Sequence, residues 1–328
     1  MNGVINVYKE AGYTSFDVVA RLRKILNIKK IGHTGTLDPD AVGVLPVCIG
    51  NATKLVDLLT DSQKEYVAVM RLGMTTDTQD ISGKLLSDSH ERSQDLSDRS
   101  IRQTIMEFVG DIMQVPPMYS ALKVNGKKLY ELAREGIEVE RKSRKITIEE
   151  IEILDMDEDE LNSLHNSLKE KIATAGEPDS YKAVKFRVLC SKGTYIRTLC
   201  HDIGKALGCG GCMQSLERTR VGRFSVEDSF TLDEIRALKE ENALAGIVTP
   251  VDIILDKYPA VRVLPDGMKL LKNGNKLPFE MIKEYDPKQK GAGIGDGICR
   301  VYGSDEMFYG IYSADEQKKI MSVEKLFI

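Results

Sequence analysis

The sequence predicts an α+β protein with a mixed, largely antiparallel sheet and a small β-rich module at its C-terminal end. Strand-like and helix-like segments alternate along the first 257 residues without the regular strand–helix–strand rhythm of a parallel sheet. Tyr258-Pro259 marks a break, and short strands and turns follow it, including Asn273-Gly274 and the glycine cluster Gly291–Gly297. A length of 328 residues also suits two domains. We therefore expect one domain at residues 1–257 and a second at residues 258–328.

Hydrophobic spacing defines the elements of the N-terminal third. Gly12-Tyr13-Thr14-Ser15 is typical of a turn with a helix N-cap. Apolar residues from Phe16 to Leu26 then recur at helical spacing, so we expect a helix that ends near Asn27. The next predicted elements are an ordered loop at Ile31–Asp40, a buried strand at Val42–Ile49, a short helix at Ala52–Leu59 and a strand at Glu65–Leu72.

The middle of the chain combines polar connections with two alternating strands. Asp88–Ser100 is polar and predicts a surface connection before a short helix at Ile101–Val109, which ends ahead of Pro116-Pro117. Lys145–Ile153 and Ala183–Leu189 alternate between apolar and polar residues, as half-buried strands do. Between them, Asp155–Ser180 is predicted to be an acidic, mobile insertion. Thr194–Leu207 is predicted to be a helix that Gly208–Gly211 ends.

Charge is distributed unevenly along the chain, although the net charge at pH 7 is only −4. Glu149–Ser180 holds eleven acidic residues and two basic ones, a net charge of −9. Ala121–Ile148 has a net charge of +4, and Lys182–Arg223 has a net charge of +7. Two basic stretches on either side of an acidic insertion indicate a polyanion-binding face. The alternative is a set of solvated surfaces with uneven charge.

The composition excludes several classes of protein. Hydrophobic residues make up 42% and charged residues 29%, which is typical of globular domains and not of disordered chains. The longest apolar run, Val42–Ile49, is interrupted by Gly43 and Pro46 and is far shorter than a membrane-spanning helix. Met1–Glu10 lacks the features of a secretory signal, so we expect a cytoplasmic protein with reduced cysteines. No GxGxxG motif follows a strand and no Walker A sequence is present, so we expect no nucleotide cofactor.

The densest group of unusual residues is the loop Gly32-His33-Thr34-Gly35-Thr36-Leu37-Asp38-Pro39-Asp40. Pro39 favours an extended conformation at Asp38, and the glycines allow the backbone to approach a ligand closely. A carboxylate on such a loop is well placed to act as a nucleophile or a general base. The alternative for Asp38 is an Asx turn, and the alternative for His33 is a hydrogen bond to its own loop.

A second group is Ser191-Lys192-Gly193-Thr194-Tyr195-Ile196-Arg197-Thr198-Leu199, where a strand ends and a helix begins. Tyr195 and Arg197 lie at this junction and would face a site from one rigid edge. Arg197 is a candidate partner for a buried carboxylate, which it would keep ionised. The alternative is an exposed tyrosine and a solvated arginine.

Cysteines form a third group, with Cys209-Gly-Gly-Cys212 near Cys200-His201 and Cys190. Structural zinc sites usually take four ligands from two short pairs. Only one such pair occurs here, so we expect no metal site. A zinc site and a redox dithiol are the alternatives.

Five segments in colinear order resemble the TruB family of pseudouridine synthases, which modify uridine 55 in the T arm of tRNA. The loop Gly32–Pro39 resembles the family's signature. The other segments are Lys64–Gly73 with its continuation Thr75–Asp80, Val115–Tyr130, Gly193–Leu199 and Ser215–Gly222. Asp266-Gly267 and Leu271–Gly274 are similar to an RNA-binding PUA domain, although that match is shorter. The resemblance implies a pseudouridine synthase core at residues 1–257, with the insertion at about 155–180, and a PUA-like module at residues 258–328.

The resemblance also implies roles for individual residues. Asp38 is then the catalytic aspartate, and Arg197 forms an ion pair with it. Tyr66 stacks against the target base, and Tyr195 contacts the base or sugar and assists a proton transfer.

Three further residues are implied to bind substrate. His33 helps to hold the flipped nucleotide, and Leu216 lines the uracil pocket. Lys9 belongs to the family's first short motif, although Glu10 replaces the usual proline after it.

The implied reaction is isomerisation of uridine to pseudouridine, without a cofactor or metal, by a monomer that needs no protein partner and no membrane. The substrate is the T-arm stem-loop of tRNA. In two alternatives the protein still binds RNA but has a different role. One is a related synthase that acts inside a guide-RNA particle with partner proteins. The other is an RNA-binding or RNA-folding protein without catalysis.

Overall fold

The computed structural model describes residues 1–124, 126–171, 177–284 and 297–328. Its strands are β1 (Gly3–Lys9), β2 (Ile31–His33), β3 (Val42–Ile49), β4 (Lys64–Leu72), β5 (Met74–Thr76), β6 (Leu85–Asp88), β7 (Gly110–Gln114), β8 (Lys123–Val124), β9 (Lys127–Lys128), β10 (Arg144–Leu154), β11 (Ala183–Cys190), β12 (Gly211–Val221), β13 (Phe224–Ser225), β14 (Val248–Thr249), β15 (Ala260–Val263), β16 (Leu277–Pro278), β17 (Ile282–Glu284), β18 (Gly297–Tyr302), β19 (Phe308–Asp315) and β20 (Ile320–Leu326).

The α-helices are α1 (Ser15–Leu26), α2 (Val56–Thr60), α3 (His90–Gln94), α4 (Asp98–Met106), α5 (Leu129–Arg134), α6 (Glu158–Lys171), α7 (Ile196–Ala206), α8 (Leu232–Glu240), α9 (Val251–Ile254) and α10 (Met268–Lys272). No helix among these described segments is both long and apolar enough to span a bilayer.

The main sheet has the strand order β14-β1-β3-β12-β4-β11-β10-β7, with β2 paired to β3 and β13 paired to β12. Its neighbours are antiparallel except for β3 and β12, which run parallel. This confirms the predicted α+β class with a mixed, largely antiparallel sheet. The one parallel contact brings the start of β3, just after the glycine-rich loop, beside the middle of β12.

A second, smaller sheet forms the C-terminal part of the chain, in the order β16-β20-β19-β18-β15-β17. Its interior is a separate apolar cluster that includes Val263, Leu271 and Tyr312. This confirms the β-rich C-terminal module. Most of the glycine cluster predicted at Gly291–Gly297 lies outside the described residues, and only Gly297 is described, at the start of β18.

Helix α7 packs against the main sheet more closely than side chains would allow. A β-carbon added to Gly211 of β12 would lie 2.8 Å from the Cys200 carbonyl oxygen, and one added to Gly204 would collide with the Gly211 backbone. The inner face of α7 buries Ile196, Leu199 and Ile203 in the same cluster as residues of β4 and β11. The sheet therefore fixes how far the first turn of α7 lies from it, and Arg197 projects from that turn.

The predicted helix near the N-terminus is confirmed, but its inward face is rotated. Thr14 caps α1 in a capping box with Asp17, and Asn27 ends the helix in the left-handed conformation. Phe16, which the spacing assigned to the apolar face, is 64% exposed. The buried positions begin at Ser15 because its hydroxyl accepts a hydrogen bond from the Leu37 amide at 2.9 Å.

The expectation of a mobile acidic insertion is wrong for residues 158–171, which form α6. Leu161, Leu164 and Leu168 lie at helical spacing, and Leu168 is fully buried against Met74 and Tyr181. The acidic side chains surround this narrow apolar stripe and conceal it in the composition. Residues 172–176 of the insertion lie outside the described part of the chain.

Other segments also differ from the predictions. Ile31–His33 of the predicted loop forms β2, and the polar Asp88–Ser100 connection contains α3 and the start of α4. Gly110–Gln114, for which no element was predicted, forms the edge strand β7. An edge strand pairs on one side only, so its sequence needs no strong apolar alternation.

Candidate active site

The loop that carries Asp38 joins β2 to β3 and is anchored by hydrogen bonds to Lys9 and Ser15. The Lys9 ammonium donates hydrogen bonds to the carbonyl oxygens of Pro39 at 2.9 Å and Ala41 at 2.6 Å. Leu37 is buried, and its amide donates to the Ser15 hydroxyl at 2.9 Å. Asp38 follows this anchored leucine, and its side chain is 38% exposed. The chain thus presents one carboxylate from a loop fixed on both sides.

Asp38 forms a two-point ion pair with Arg197. The Arg197 Nε lies 2.9 Å from Asp38 Oδ2, and Nη2 lies 3.2 Å from Oδ1. The Arg197 side chain is only 6% exposed. A planar guanidinium paired in this way fixes the orientation of the carboxylate as well as its charge.

The remaining donors of Arg197 are used on two other segments. Nη1 donates to the Thr78 carbonyl oxygen at 3.0 Å and lies 3.5 Å from Asp80 Oδ2. Nη2 also donates to the Tyr119 carbonyl oxygen at 2.7 Å. One buried guanidinium therefore connects the Asp38 loop with the turn after β5 and with the segment after β7.

Asp80 is a functional candidate that the sequence reasoning missed. Its Oδ1 accepts hydrogen bonds from the Thr78 hydroxyl at 2.8 Å and the Ser82 amide at 3.0 Å, so the turn holds the carboxylate towards Arg197. Gln79 adopts the left-handed conformation, with φ of 64°. The signal in the sequence was the Thr-x-Asp-x-Ser spacing of such a turn, which identifies a turn but not what it faces.

The pKa of Asp38 is raised above its ordinary value. Burial is the main cause, and the neighbouring Asp80 carboxylate acts in the same direction. Arg197 and, more weakly, Lys9 oppose the shift. Asp38 is therefore more basic than a solvated aspartate, which suits a nucleophile or a base.

Tyr66 and Leu216 lie on neighbouring strands beside Asp38. Tyr66 of β4 is 8% exposed and Leu216 of β12 is 9% exposed, and both belong to the cluster that contains Leu37. Burial raises the pKa of the Tyr66 hydroxyl, and Asp38 is among the charges that act on it. The carboxylate thus has an apolar and aromatic wall on one side.

Tyr195 is the N-cap residue of α7, two positions before Arg197. Burial raises the pKa of its hydroxyl, and the charges of Arg197 and Asp38 also act on it. The structure therefore brings the four predicted catalytic residues, Asp38, Tyr66, Tyr195 and Arg197, together from three parts of the fold: the loop after β2, strand β4 and the start of α7.

Lys9 and His33 lie beneath and beside the loop. Lys9 is fully buried, its Nζ donates to backbone carbonyls, and burial lowers its pKa to about 8. His33 is half-buried, and its Nδ1 lies 2.8 Å from the Gly35 carbonyl oxygen. Because a carbonyl oxygen only accepts, Nδ1 carries the proton and Nε2 is left as an acceptor. Lys9 holds the loop, and the His33 ring is fixed by its own loop.

The first basic stretch forms β8, β9 and α5 and returns along β10. Lys123, Lys142 and Arg144 are exposed and make no ion pair within the described ranges. The cysteines are buried and form no disulfide, and no three His, Cys, Asp or Glu side chains of the described residues converge as metal ligands do. The exposed cations favour a polyanionic ligand.

Comparisons with known proteins agree in pointing to one family. Residues 23–196 match the model of the TruB family pseudouridylate synthase N-terminal domain, and residues 197–256 match that of the tRNA pseudouridylate synthase B C-terminal domain. The tRNA pseudouridine synthase B of Lachnoclostridium phytofermentans is 47% identical over 100% of both chains. The protein of that name from Clostridium acetobutylicum is 45% identical over 97% of each chain.

Solved structures show the same architecture. A chain in a crystal structure of a Cbf5–Nop10–Gar1 complex is 30% identical, with a TM-score of 0.66 over 99% of this chain and 85% of that one. A chain in an H/ACA RNP bound to a substrate RNA containing 2′-deoxyuridine is 28% identical, with a TM-score of 0.65 over the same shares.

Proposed function

The chain belongs to the TruB family of pseudouridylate synthases, and from this premise we propose that it converts uridine 55 in the T arm of tRNA to pseudouridine, with Asp38 as the catalytic carboxylate. The observation that carries the proposal is the two-point ion pair between Asp38 and the buried Arg197. A rigidly held, partly exposed carboxylate with a raised pKa is what the first chemical step needs.

The reaction is an isomerisation, so it needs no external atoms or electrons. The C1′–N1 bond of uridine breaks, the base turns, and a C1′–C5 bond forms. The proton lost from C5 is balanced by the proton that N1 of the product carries. No redox or phosphoryl-transfer partner enters this balance, so no cofactor is required.

Asp38 would begin the reaction at the sugar. Its carboxylate either attacks C1′ or removes the C2′ proton, and both routes require the ionised form. Arg197 keeps Asp38 ionised and aimed, although the apolar surroundings and Asp80 favour protonation. Tyr195, whose pKa is raised by burial, would contact the base or sugar and assist the later proton transfer.

The target base must leave the T loop to reach Asp38. Extruding a base costs a few kcal/mol, and stacking on an aromatic ring returns about 1–3 kcal/mol. Tyr66 would supply that ring, and Leu216 would line the uracil pocket beside it. His33, whose Nε2 remains an acceptor, would help to hold the flipped nucleotide, while Lys9 would act only through the loop.

The basic stretches would hold the RNA around this site. Exposed residues of the 121–148 stretch, such as Lys123 and Lys142, are free to contact phosphates. We assign residues 1–257 to the catalytic domain and residues 258–328 to a PUA-like module that extends the RNA contact. We further propose that the enzyme works in the cytoplasm as a monomer, without guide RNA or protein partners, because its full-length relatives at 45–47% identity carry the tRNA enzyme's name.

The test is to incubate the purified protein, without cofactor, with an unmodified T-arm hairpin and to map pseudouridine by position. We expect isomerisation at the T-loop uridine by the wild type and none by Asp38→Asn, with hairpin affinity retained. Binding without product by the wild type would favour an RNA-binding protein or a partner-dependent enzyme. Equal activity of Asp38→Asn would remove the carboxylate from the mechanism.

A further inference from the structure

Helix α7 begins without the local features that usually start a helix. Its N-cap, Tyr195, makes no side-chain capping hydrogen bond, and the first turn contains no acidic residue. That turn instead holds Arg197, a cation at the positive end of the helix dipole. The position of Tyr195 and Arg197 must therefore be stabilised by groups from other elements.

Gln114 supplies the missing cap from the edge strand β7. Its Oε1 accepts a hydrogen bond from the Tyr195 amide at 2.8 Å, and its Nε2 donates to the Tyr195 carbonyl oxygen at 3.1 Å. Only one orientation of the side-chain amide satisfies both contacts, because the backbone N–H donates and the carbonyl accepts. Gln114 is 2% exposed, so water cannot readily replace it. Its oxygen does for Tyr195 what the glutamate of a capping box does within a helix.

The placement of Gln114 links this cap to the basic stretch. Gln114 is the last residue of β7, and its backbone pairs with Arg144 at the start of β10. The chain between these two residues carries the basic residues of β8, β9 and α5. The same excursion contributes the Tyr119 carbonyl oxygen that accepts from Arg197 at 2.7 Å. Tyr195 thus receives a hydrogen bond partner from the residue before this excursion, and Arg197 receives one from within it, ahead of the basic residues.

We propose that Gln114 is a positioning residue for the isomerisation, which acts through the Tyr195 backbone to set Tyr195 and Arg197 against Asp38. The inference rests on the proposed function of those three residues. Loss of the cap would leave the Tyr195 amide without its partner and the Tyr195 carbonyl oxygen with only the Leu199 amide as a donor, which would loosen the first turn of α7. Displacement of reacting groups by about 1 Å costs about a hundredfold in rate.

The experiment compares Gln114→Glu and Gln114→Met with the wild type in single-turnover reactions on the T-arm hairpin, from about pH 5.5 to about pH 8.5. A protonated glutamate keeps both an acceptor and a donor, whereas the ionised form loses the donor and repels the Tyr195 carbonyl. We expect burial to raise the pKa of the introduced carboxyl into the pH range of the assay. Gln103→Glu, at an exposed position on α4, makes the same change of charge away from the site.

We expect the rate of Gln114→Glu relative to the wild type to recover as the pH falls and to drop about tenfold to a hundredfold as it rises. Gln114→Met should be slow at every pH, with hairpin affinity retained, and Gln103→Glu should follow the wild type. A pH-independent ratio near one for Gln114→Glu, or a loss of affinity without a loss of rate, would overturn the inference. Absence of product with the wild type would instead count against the proposed function.

Discussion

The Asp38 carboxylate lies between a buried guanidinium and a second carboxylate, and these neighbours act on its pKa in opposite directions. Arg197 lowers it, whereas burial and Asp80 raise it. Since the proposed chemistry uses the ionised form, activity should fall as the pH decreases through the raised pKa of Asp38. The two neighbours can be separated by substitution because each makes its own contact in the site.

Replacing Asp80 with asparagine should move the acid limb of the pH–rate profile to lower pH. The change removes a negative charge near Asp38, so the ionised form of Asp38 is favoured and its pKa falls. The measurement is the single-turnover rate on the T-arm hairpin as a function of pH. Asp57→Asn, at an exposed position on α2, is the matched control and should leave the limb in place. A limb shifted to higher pH would contradict the assignment to Asp38.

Arg197→Ala should impair turnover much more than RNA binding. The substitution leaves Asp38 without its ion pair and removes the group that joins three segments, so we expect a rate loss of about a hundredfold or more. Arg197→Lys should keep the positive charge but lose the planar set of contacts. Its rate should therefore lie between those of the wild type and Arg197→Ala. Kd from filter binding and the single-turnover rate separate these effects. Weak binding with a normal rate for bound hairpin would refute the role.

Among individual residues, the sequence predicted the Asp38–Arg197 pair better than the groups that support it. Asp38 and Arg197 belong to motifs with a chemical reason for their composition, and their predicted pairing is confirmed by the geometry. Asp80 and Gln114 were missed because their importance depends on Arg197 and Tyr195, which are more than a hundred and about eighty positions away in the chain. Local spacing carries no information about such contacts.

The close packing of α7 on β12 fixes the distance of Arg197 from the main sheet. Gly204 and Gly211 meet backbone to backbone, and neither has room for a β-carbon. Gly204→Ala should therefore push the helix away from the sheet, lower the free energy of unfolding by about 1–3 kcal/mol, and slow the reaction through Arg197. Urea unfolding and the single-turnover rate are the two readouts.

Gly246→Ala is the control for this substitution, because a β-carbon there meets nothing within 4 Å. It should leave both stability and rate close to the wild-type values. If Gly204→Ala unfolds at the same urea concentration as the wild type, the contact between Gly204 and Gly211 does not determine how α7 packs on the sheet.

Elements with a strong period were predictable, and those with a weak or interrupted period were not. Val42–Ile49 forms a strand with the predicted bounds because most of its residues are apolar and all but the first are buried. The insertion helix α6 was missed because three leucines among acidic residues give only a narrow stripe. The edge strand β7 was missed because one-sided pairing imposes little pattern. The last case matters most, since β7 carries Gln114.

The two sheets share a core, although each also has its own. Ile311 and Phe327 of the C-terminal part belong to the apolar cluster that contains Val4 and Val44 of the main sheet. The Tyr302 hydroxyl donates to Asp252 Oδ2 at 2.9 Å across the same boundary. The sequence predicted a break at Tyr258-Pro259 but gave no sign of this contact, because apolar residues do not reveal which sheet they will cover.

A shared core predicts that the chain unfolds as one cooperative unit. Phe327 is 5% exposed and stacks on Phe308 with ring centroids 5.7 Å apart, so Phe327→Ala should lower the free energy of unfolding by about 3–5 kcal/mol. The neighbouring Ile328 is 48% exposed, and Ile328→Ala should have little effect. Urea unfolding followed by circular dichroism and by loss of hairpin isomerisation should give one coincident transition for every variant, displaced only in Phe327→Ala. If the C-terminal sheet were an independent appendage, Phe327→Ala would instead produce an early transition that leaves the isomerisation intact, because the site around Asp38 would survive the loss of its neighbour.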